Sequence, residues 1–184
     1  AAGCGLFHAD VLIGTYKENK MKKTKIYAAY GSNLNHAQMR ERCPEAKYLG
    51  SAMLKNQNLL FCGQPDHSFA TIKTMAGKEV PIGLWEISAR DEKSLDRYEG
   101  YPHFYHKTVL PVTLDGEEVH AMAYIMDLAM PAGLPSVMYY DIVEKGYRDC
   151  GLDTAYLKEA LKTSMERVYG LAPTQDMSPG MEML

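Results

Sequence analysis

A glycine-containing turn follows the first apolar run of this sequence and precedes a helix-forming segment. The turn reads Tyr30-Gly31-Ser32-Asn33-Leu34, after an apolar strand at residues 25–29 and before a helix that starts near His36. The first N–H groups of a helix have no intrahelical acceptor, so a turn at this place presents free backbone donors. Such donors bind a carboxylate or a developing oxyanion. The alternative is a plain capped turn in which Ser32 or Asn33 is the N-cap.

One carboxylate, Glu99, stands at the predicted end of a second helix. Ser88 and Asp91 have the spacing of a capping box, which predicts a helix over residues 89–98 that stops at Gly100. A carboxylate in the last turn is unfavourable because the helix C-terminus carries partial negative charge. A residue that breaks a local rule is a candidate functional residue. The alternative is a solvated surface carboxylate.

Together these motifs resemble the γ-glutamylcyclotransferase family, which includes the AIG2-like proteins. The resemblance covers residues 25–169 and rests first on the turn and on Glu99-Gly100-Tyr101-Pro102. It also rests on later matching positions, which are Tyr105, Tyr139, Ile142, Gly146, Gly151-Leu152 and Tyr156. The resemblance implies an α+β fold, a compact and mostly antiparallel β-barrel with flanking helices.

The resemblance also implies an activity. A γ-glutamyl amino acid or γ-glutamyl amine is converted to 5-oxoproline and a free amine when the substrate's α-amino group attacks its own γ-carbonyl carbon. Glu99 is the implied catalytic residue and acts as a proton shuttle. The residues implied to bind the glutamyl group are Tyr30, Gly31, Ser32, Asn33, Leu34, Tyr105 and Tyr139. For Tyr105 and Tyr139 the alternative is a core role with a solvated hydroxyl. No metal and no cofactor are implied.

A non-catalytic module that holds a small acidic metabolite in the same pocket is the alternative function. Glu99 weighs against it, because a buried carboxylate beside an anion site is unfavourable unless a cation meets it. The ammonium group of a γ-glutamyl substrate is such a cation. The motifs address only the glutamyl half of the substrate, so the leaving group stays open.

The composition fits one globular domain of 184 residues, with 46% hydrophobic residues. A net charge of −3 gives no basic surface, so we expect no nucleic-acid partner. No apolar stretch is long enough to span a bilayer, and we expect no membrane partner. The cysteines match no zinc motif and are typical of free, buried thiols in a reducing compartment, the cytoplasm; they are Cys4, Cys43, Cys62 and Cys150. No pattern indicates the oligomeric state.

The chain divides into three predicted regions. Residues 1–20 are an extension, native or not, upstream of Met21; residues 21–170 form the domain; residues 171–184 form a loose tail. The predicted strands cover residues 46–54, 57–62, 69–75, 79–87, 105–114 and 118–127.

The remaining elements are turns and helices. Turns are predicted at residues 63–66 and 76–78, and Asp115-Gly116 indicates a hairpin. Pro111 marks an edge strand or a bulge. Two helices end the domain, at residues 137–149 with Ser136 as the cap and at residues 155–169 with Asp153 or Thr154 as the cap.

Overall fold

The computed structural model describes residues 24–64, 67–126 and 129–170. The extension predicted at residues 1–20 and the tail predicted at 171–184 lie outside the described residues, as do Cys4 and part of the turn predicted at 63–66. The described elements, in chain order, are β1 (Lys25–Ala29), a 3-10 helix (Ser32–Leu34), α1 (His36–Arg42), β2 (Lys47–Gln64), β3 (His67–Ile87), α2 (Ala89–Tyr98), β4 (Tyr105–Leu114), β5 (Glu117–Met126), α3 (Val137–Asp149) and α4 (Ala155–Tyr169).

The five strands form one mixed sheet in the order β2-β3-β1-β5-β4. Only β1 and β5 pair in parallel; the other neighbours pair antiparallel, as the sequence predicts. The sheet is curled, and its edge strands β2 and β4 come into contact without pairing. The predicted barrel is therefore an open, curled sheet within an α+β fold. Pro111 lies on the edge strand β4, one of the positions in a sheet where proline is found.

β2 and β3 form one long antiparallel hairpin, and the turn predicted at residues 76–78 is wrong. Both strands continue past this point, where the pairing passes from Lys55–Glu79 to Gln57–Thr74. Asn56 adopts a φ of 56° there, and its side-chain oxygen accepts a 3.2 Å hydrogen bond from the N–H of Gly77. Turn-type residues thus form a bulge, because asparagine and glycine tolerate positive φ inside a strand.

Local capping explains most helix starts. Ser88 and Asp91 form the predicted capping box of α2, and the hydroxyl of Ser136 accepts from the N–H of Tyr139 at the start of α3. At α4 the carboxylate of Asp153, not the Thr154 side chain, accepts from the first N–H.

The cap of α1 is Asn35 rather than Ser32 or Asn33. Its side-chain oxygen accepts from the N–H groups of Ala37 and Gln38 at 3.1 and 3.2 Å. Ser32 and Asn33 belong to the 3-10 helix, so their side chains remain available for other contacts.

The core lies between the sheet and the helices, with Phe61, Ile82 and Tyr147 among its largest fully buried side chains. The three described cysteines are free and buried, as the sequence predicts; they are Cys43, Cys62 and Cys150. Within the described ranges, no helix combines the length and apolar character needed to cross a membrane.

Candidate active site

Helix α2 places Glu99 at its C-terminal end. Leu95 anchors the helix in the core, where it is completely buried. Lys107 of β4 pairs with Glu92 and with Asp96 at 2.7 Å each, so two successive turns of α2 are tied to the sheet. Glu99 follows as the C-terminal cap residue, in a position set by both the apolar and the charged contacts.

The turn after β1 forms the opposite side of the site. Its 3-10 helix is closed by hydrogen bonds from the N–H of Leu34 to the carbonyl of Gly31 and from the N–H of Asn35 to the carbonyl of Ser32, at 3.0 and 3.1 Å. The N–H groups of Ser32 and Asn33 stand at the start of this helix, where no intrahelical acceptor exists. The predicted presentation of backbone donors is thus compatible with the local geometry.

Gly31 is closely packed against β3 and Tyr139. A Cβ atom at this position would lie 3.2 Å from the hydroxyl oxygen of Tyr139 and 3.3 Å from the Cβ of Ala70. Both distances are tighter than ordinary van der Waals contact, so a side chain at Gly31 displaces the residues that face it.

Leu34 supports the turn from behind. Its side chain is fully buried, and a Cβ at Gly146 of α3 would lie 2.6 Å from the Leu34 Cβ. Leu34 therefore packs against α3 and does not line the cavity described next.

A small cavity of about 30 Å³ lies between the turn and the end of α2. All the predicted site residues except Leu34 line it, and the structure adds three more. The full lining is Tyr27, Tyr30, Gly31, Ser32, Asn33, Ala70, Glu99, Tyr105, Tyr124 and Tyr139. A larger groove, beside the first half of α4, contains none of these residues.

Asn33 connects the turn to Glu99. Its side-chain nitrogen donates to Glu99 Oε1 at 2.7 Å and to the hydroxyl of Tyr27 at 2.9 Å. Its side-chain oxygen accepts from Nη1 of Arg42 at 2.6 Å. The guanidinium group of Arg42 lies 3.6 Å above the ring centre of Tyr98. The side-chain amide of Asn33 thus holds the carboxyl group of Glu99 close to the turn.

The pKa of Glu99 is raised from 4.5 to about 7. Burial of the carboxyl group is the main cause, and the Arg42 charge and the Asn33 hydrogen bond oppose it. Glu99 as a whole residue is only partly buried, since its backbone ends a surface helix while its carboxyl group faces the cavity. A carboxyl group with a pKa near neutrality both accepts and donates protons readily.

The tyrosine hydroxyls are held in different ways. Tyr30 donates to the carbonyl of Tyr124, and Tyr105 donates to the carbonyl of Ala70 at 2.9 Å. Tyr139 instead accepts from the N–H of Ala70 at 3.2 Å, which leaves its own hydroxyl hydrogen for another acceptor. Burial raises the pKa of Tyr30, Tyr105 and Tyr139, so these groups are neutral hydrogen-bonding groups rather than bases.

Sequence reasoning missed four residues of the site. Tyr27 and Tyr124 lie inside apolar strands, where a tyrosine has the pattern of an ordinary core residue. Ala70 contributes through its backbone, which leaves no sequence signal. Arg42 lies in the last turn of α1, where a cation is expected for helix stability alone.

Comparisons with known proteins bear on the family of this chain. The sequence profile of the family described as "Gamma-glutamyl cyclotransferase, AIG2-like" matches residues 27–146. A Homo sapiens protein named gamma-glutamylcyclotransferase is 32% identical over 146 residues, which cover 74% of this chain and 77% of that protein. A Bos taurus protein of the same name is 30% identical over 146 residues, with coverages of 73% and 76%.

Solved structures of other proteins share the fold of this chain. A structure named gamma-glutamyl cyclotransferase aligns with a TM-score of 0.65 at 28% identity and covers 75% of this chain and 86% of that chain. YkqA from Bacillus subtilis aligns with a TM-score of 0.68 over 79% of this chain and 56% of that chain, at 20% identity, which supports the fold alone. The profile match spans more than half of the sequence, and the chain therefore belongs to the gamma-glutamyl cyclotransferase, AIG2-like family of enzymes.

Proposed function

We propose that this protein converts a γ-glutamyl amino acid or a γ-glutamyl amine to 5-oxoproline and a free amine, with Glu99 as the proton shuttle. The observation that carries the proposal is the enclosed carboxyl group of Glu99, whose pKa of about 7 suits proton transfer in both directions. The names of the relatives support a cyclotransferase reaction.

The cavity offers complementary groups to a glutamyl head. Ionised Glu99 pairs with the substrate's α-ammonium group, which in turn lowers the pKa of Glu99 because an opposite charge favours the carboxylate. The N–H group of Asn33 and the hydroxyl of Tyr139 are donors for the α-carboxylate or for the oxyanion, whereas the N–H of Ser32 already faces the Tyr139 oxygen. We assign the donor role to Tyr139 rather than Tyr105, whose hydrogen is directed at Ala70.

The reaction balances without an added reactant. Glu99 takes a proton from the α-ammonium group, and the freed amine attacks the γ-carbonyl carbon to close the five-membered lactam. The bond from that carbon to the leaving nitrogen breaks as Glu99 returns its proton to the leaving nitrogen. Two protons pass in total from the α-nitrogen to the leaving nitrogen at neutral pH. Glu99 carries the first as described, then takes the second from the ring nitrogen, delivers it to the released amine and is again ionised. Intramolecular attack lets orientation supply much of the rate.

Glu99→Gln separates this enzyme from a binding module. The test incubates the wild type and the variant with γ-glutamyl amino acids and amines and measures 5-oxoproline, while calorimetry measures binding. We expect wild-type release from at least one compound and a loss of about 10²–10⁴-fold in Glu99→Gln. Glu118→Gln, which removes an exposed carboxylate of β5, is the matched control.

Two outcomes would contradict the proposal. Equal turnover by Glu99→Gln would remove Glu99 from the mechanism. Binding of the compounds by the wild type with no 5-oxoproline would favour the module that holds an acidic metabolite.

A cytoplasmic location without a nucleic-acid partner is part of the same proposal, supported by the free buried thiols and the net charge of −3.

A further inference from the structure

Arg42 makes contacts that its place in α1 does not require. Its Nη1 donates to the side-chain oxygen of Asn33 at 2.6 Å and reaches the hydroxyl of Ser32 at 3.4 Å. Its Nη2 donates to the side chain of Gln38, and its guanidinium plane covers the ring of Tyr98. Three acceptors and one aromatic face therefore fix the guanidinium group beside the cavity, although Arg42 is not one of the residues that line the cavity.

These contacts determine which way the Asn33 carboxamide faces. A guanidinium group only donates hydrogen bonds, so the amide atom that faces Arg42 must be the oxygen. The nitrogen then faces the opposite side, where its two hydrogens reach the hydroxyl of Tyr27 and the carboxyl group of Glu99. A rotated amide would place its oxygen against the Glu99 carboxylate and its hydrogens against the Arg42 cation, which is unfavourable at both ends.

We propose that Arg42 is a positioning residue for the reaction: it fixes the orientation of the Asn33 carboxamide and thereby holds the Glu99 carboxyl group toward the turn. The inference rests on the function proposed above for Glu99. It extends that function to a side chain outside the cavity, which acts through Asn33. The positive charge of Arg42 also opposes the upward shift that burial causes in the Glu99 pKa.

The test compares Arg42→Gln and Arg42→Lys with Arg40→Gln, which removes the same charge from an exposed position of the same helix. The first readout is the 13C NMR titration of the Glu99 carboxyl in the free protein. The second is the pH profile of kcat/KM for 5-oxoproline release. The third is the nuclear Overhauser contact between the Asn33 carboxamide protons and the ring of Tyr27.

We expect Arg42→Gln to raise the Glu99 pKa by about one unit and to move the acid limb of the kcat/KM profile to higher pH by the same amount. At pH values below the Glu99 pKa, kcat/KM then falls about tenfold. The contact between Asn33 and Tyr27 weakens, because glutamine presents either amide atom to Asn33. Arg42→Lys keeps the charge but lacks the planar fork. We expect it to keep the titration near that of the wild type and still lose about tenfold in plateau kcat/KM. Arg40→Gln should match the wild type.

Specific results would overturn the inference. An unchanged titration and an unchanged contact to Tyr27 in Arg42→Gln would do so. Full recovery of kcat/KM in Arg42→Lys would reduce the role of Arg42 to charge alone, and this variant also decides the matter if Arg42→Gln does not fold. A wild type that releases no 5-oxoproline contradicts the proposed function instead, while the titration and the Tyr27 contact still test Arg42.

Discussion

The side-chain nitrogen of Asn33 donates a 2.7 Å hydrogen bond to the carboxyl group of Glu99, across 66 residues of sequence. The bond joins the turn after β1 to the end of α2, the two segments that hold most of the predicted site residues. It favours the ionised carboxylate, whereas burial favours the protonated form. The balance between these effects leads to the first two predictions.

The raised pKa of Glu99 predicts a pH-dependent stability difference between the wild type and Glu99→Gln. The folded protein binds the Glu99 proton more tightly than the unfolded chain, so wild-type stability falls as the pH rises from 4.5 through about 7. Glutamine does not titrate. We expect the stability of Glu99→Gln relative to the wild type to increase by on the order of 3 kcal/mol between pH 4 and pH 8.

Urea unfolding at both pH values measures this difference, and Glu118→Gln controls for the loss of an exposed carboxylate. A difference between Glu99→Gln and the wild type that does not change with pH would mean that the Glu99 carboxyl group is solvated in the folded protein.

Ligand binding is expected to release protons near neutral pH. A bound ammonium group lowers the pKa of Glu99 from about 7, so the fraction of Glu99 that is protonated ionises on binding. The probe is a γ-glutamyl analogue in which a methylene replaces the γ-carbonyl, which keeps the ammonium group and cannot cyclise. Calorimetry in buffers of different ionisation enthalpy measures the release, about half a proton per site at pH 7. Proton release that persists in Glu99→Gln would assign the effect to another group.

Gly31→Ala is expected to disturb Tyr139. The new Cβ would lie 3.2 Å from the Tyr139 hydroxyl, which must move and weaken its hydrogen bond to the Ala70 N–H. We expect a loss of about 1–2 kcal/mol in the free energy of unfolding. Since the contact is with the hydroxyl oxygen, Tyr139→Phe should cost less in the Gly31→Ala background than in the wild type. A double-mutant cycle by urea unfolding measures this coupling, and strict additivity would argue against the contact.

Gly146→Ala tests the packing of α3 on the turn, with a sign opposite to helix propensity. Alanine in place of a helical glycine normally stabilises by about 0.5–1 kcal/mol. Here the added Cβ would lie 2.6 Å from the Leu34 Cβ and 2.7 Å from the Asn35 nitrogen. We therefore expect a net loss of about 1–3 kcal/mol in thermal or urea unfolding, together with a weaker affinity for γ-glutamyl ligands. Met138→Ala, at an exposed position of the same helix, should leave both quantities near their wild-type values.

Local signals predicted the elements that carry the site. The capping box of Ser88 and Asp91 gave the bounds of α2, and Asp115-Gly116 gave the hairpin between β4 and β5, because these features depend on neighbours in sequence. The turn predicted at residues 76–78 was wrong, because β3 stays paired with β2 on both sides of these residues and Gly77 becomes part of a bulge. Whether the sheet closes into a barrel or stays open and curled depends on contacts between its distant edge strands, which no local sequence pattern encodes.

The candidate site was predictable only as far as its motifs extend. The resemblance identified residues that line the cavity, whereas Arg42 contacts Asn33 from outside the cavity and Ala70 contributes its backbone. Leu34 belongs to the same turn but faces α3, because side chains of a 3-10 helix point in different directions.

Tyr105 and Tyr139 share one backbone anchor residue, since Tyr105 donates to the carbonyl of Ala70 and Tyr139 accepts from its N–H. The spacing of the two hydroxyls is therefore a property of the main chain of β3 and is independent of the side chain at residue 70. Another small residue can replace Ala70 without altering this spacing. A bulkier side chain would press on Gly31, because the Ala70 Cβ lies only 3.3 Å from the position that an added Cβ would occupy at Gly31. Tolerance at this position is thus limited by the volume of the side chain.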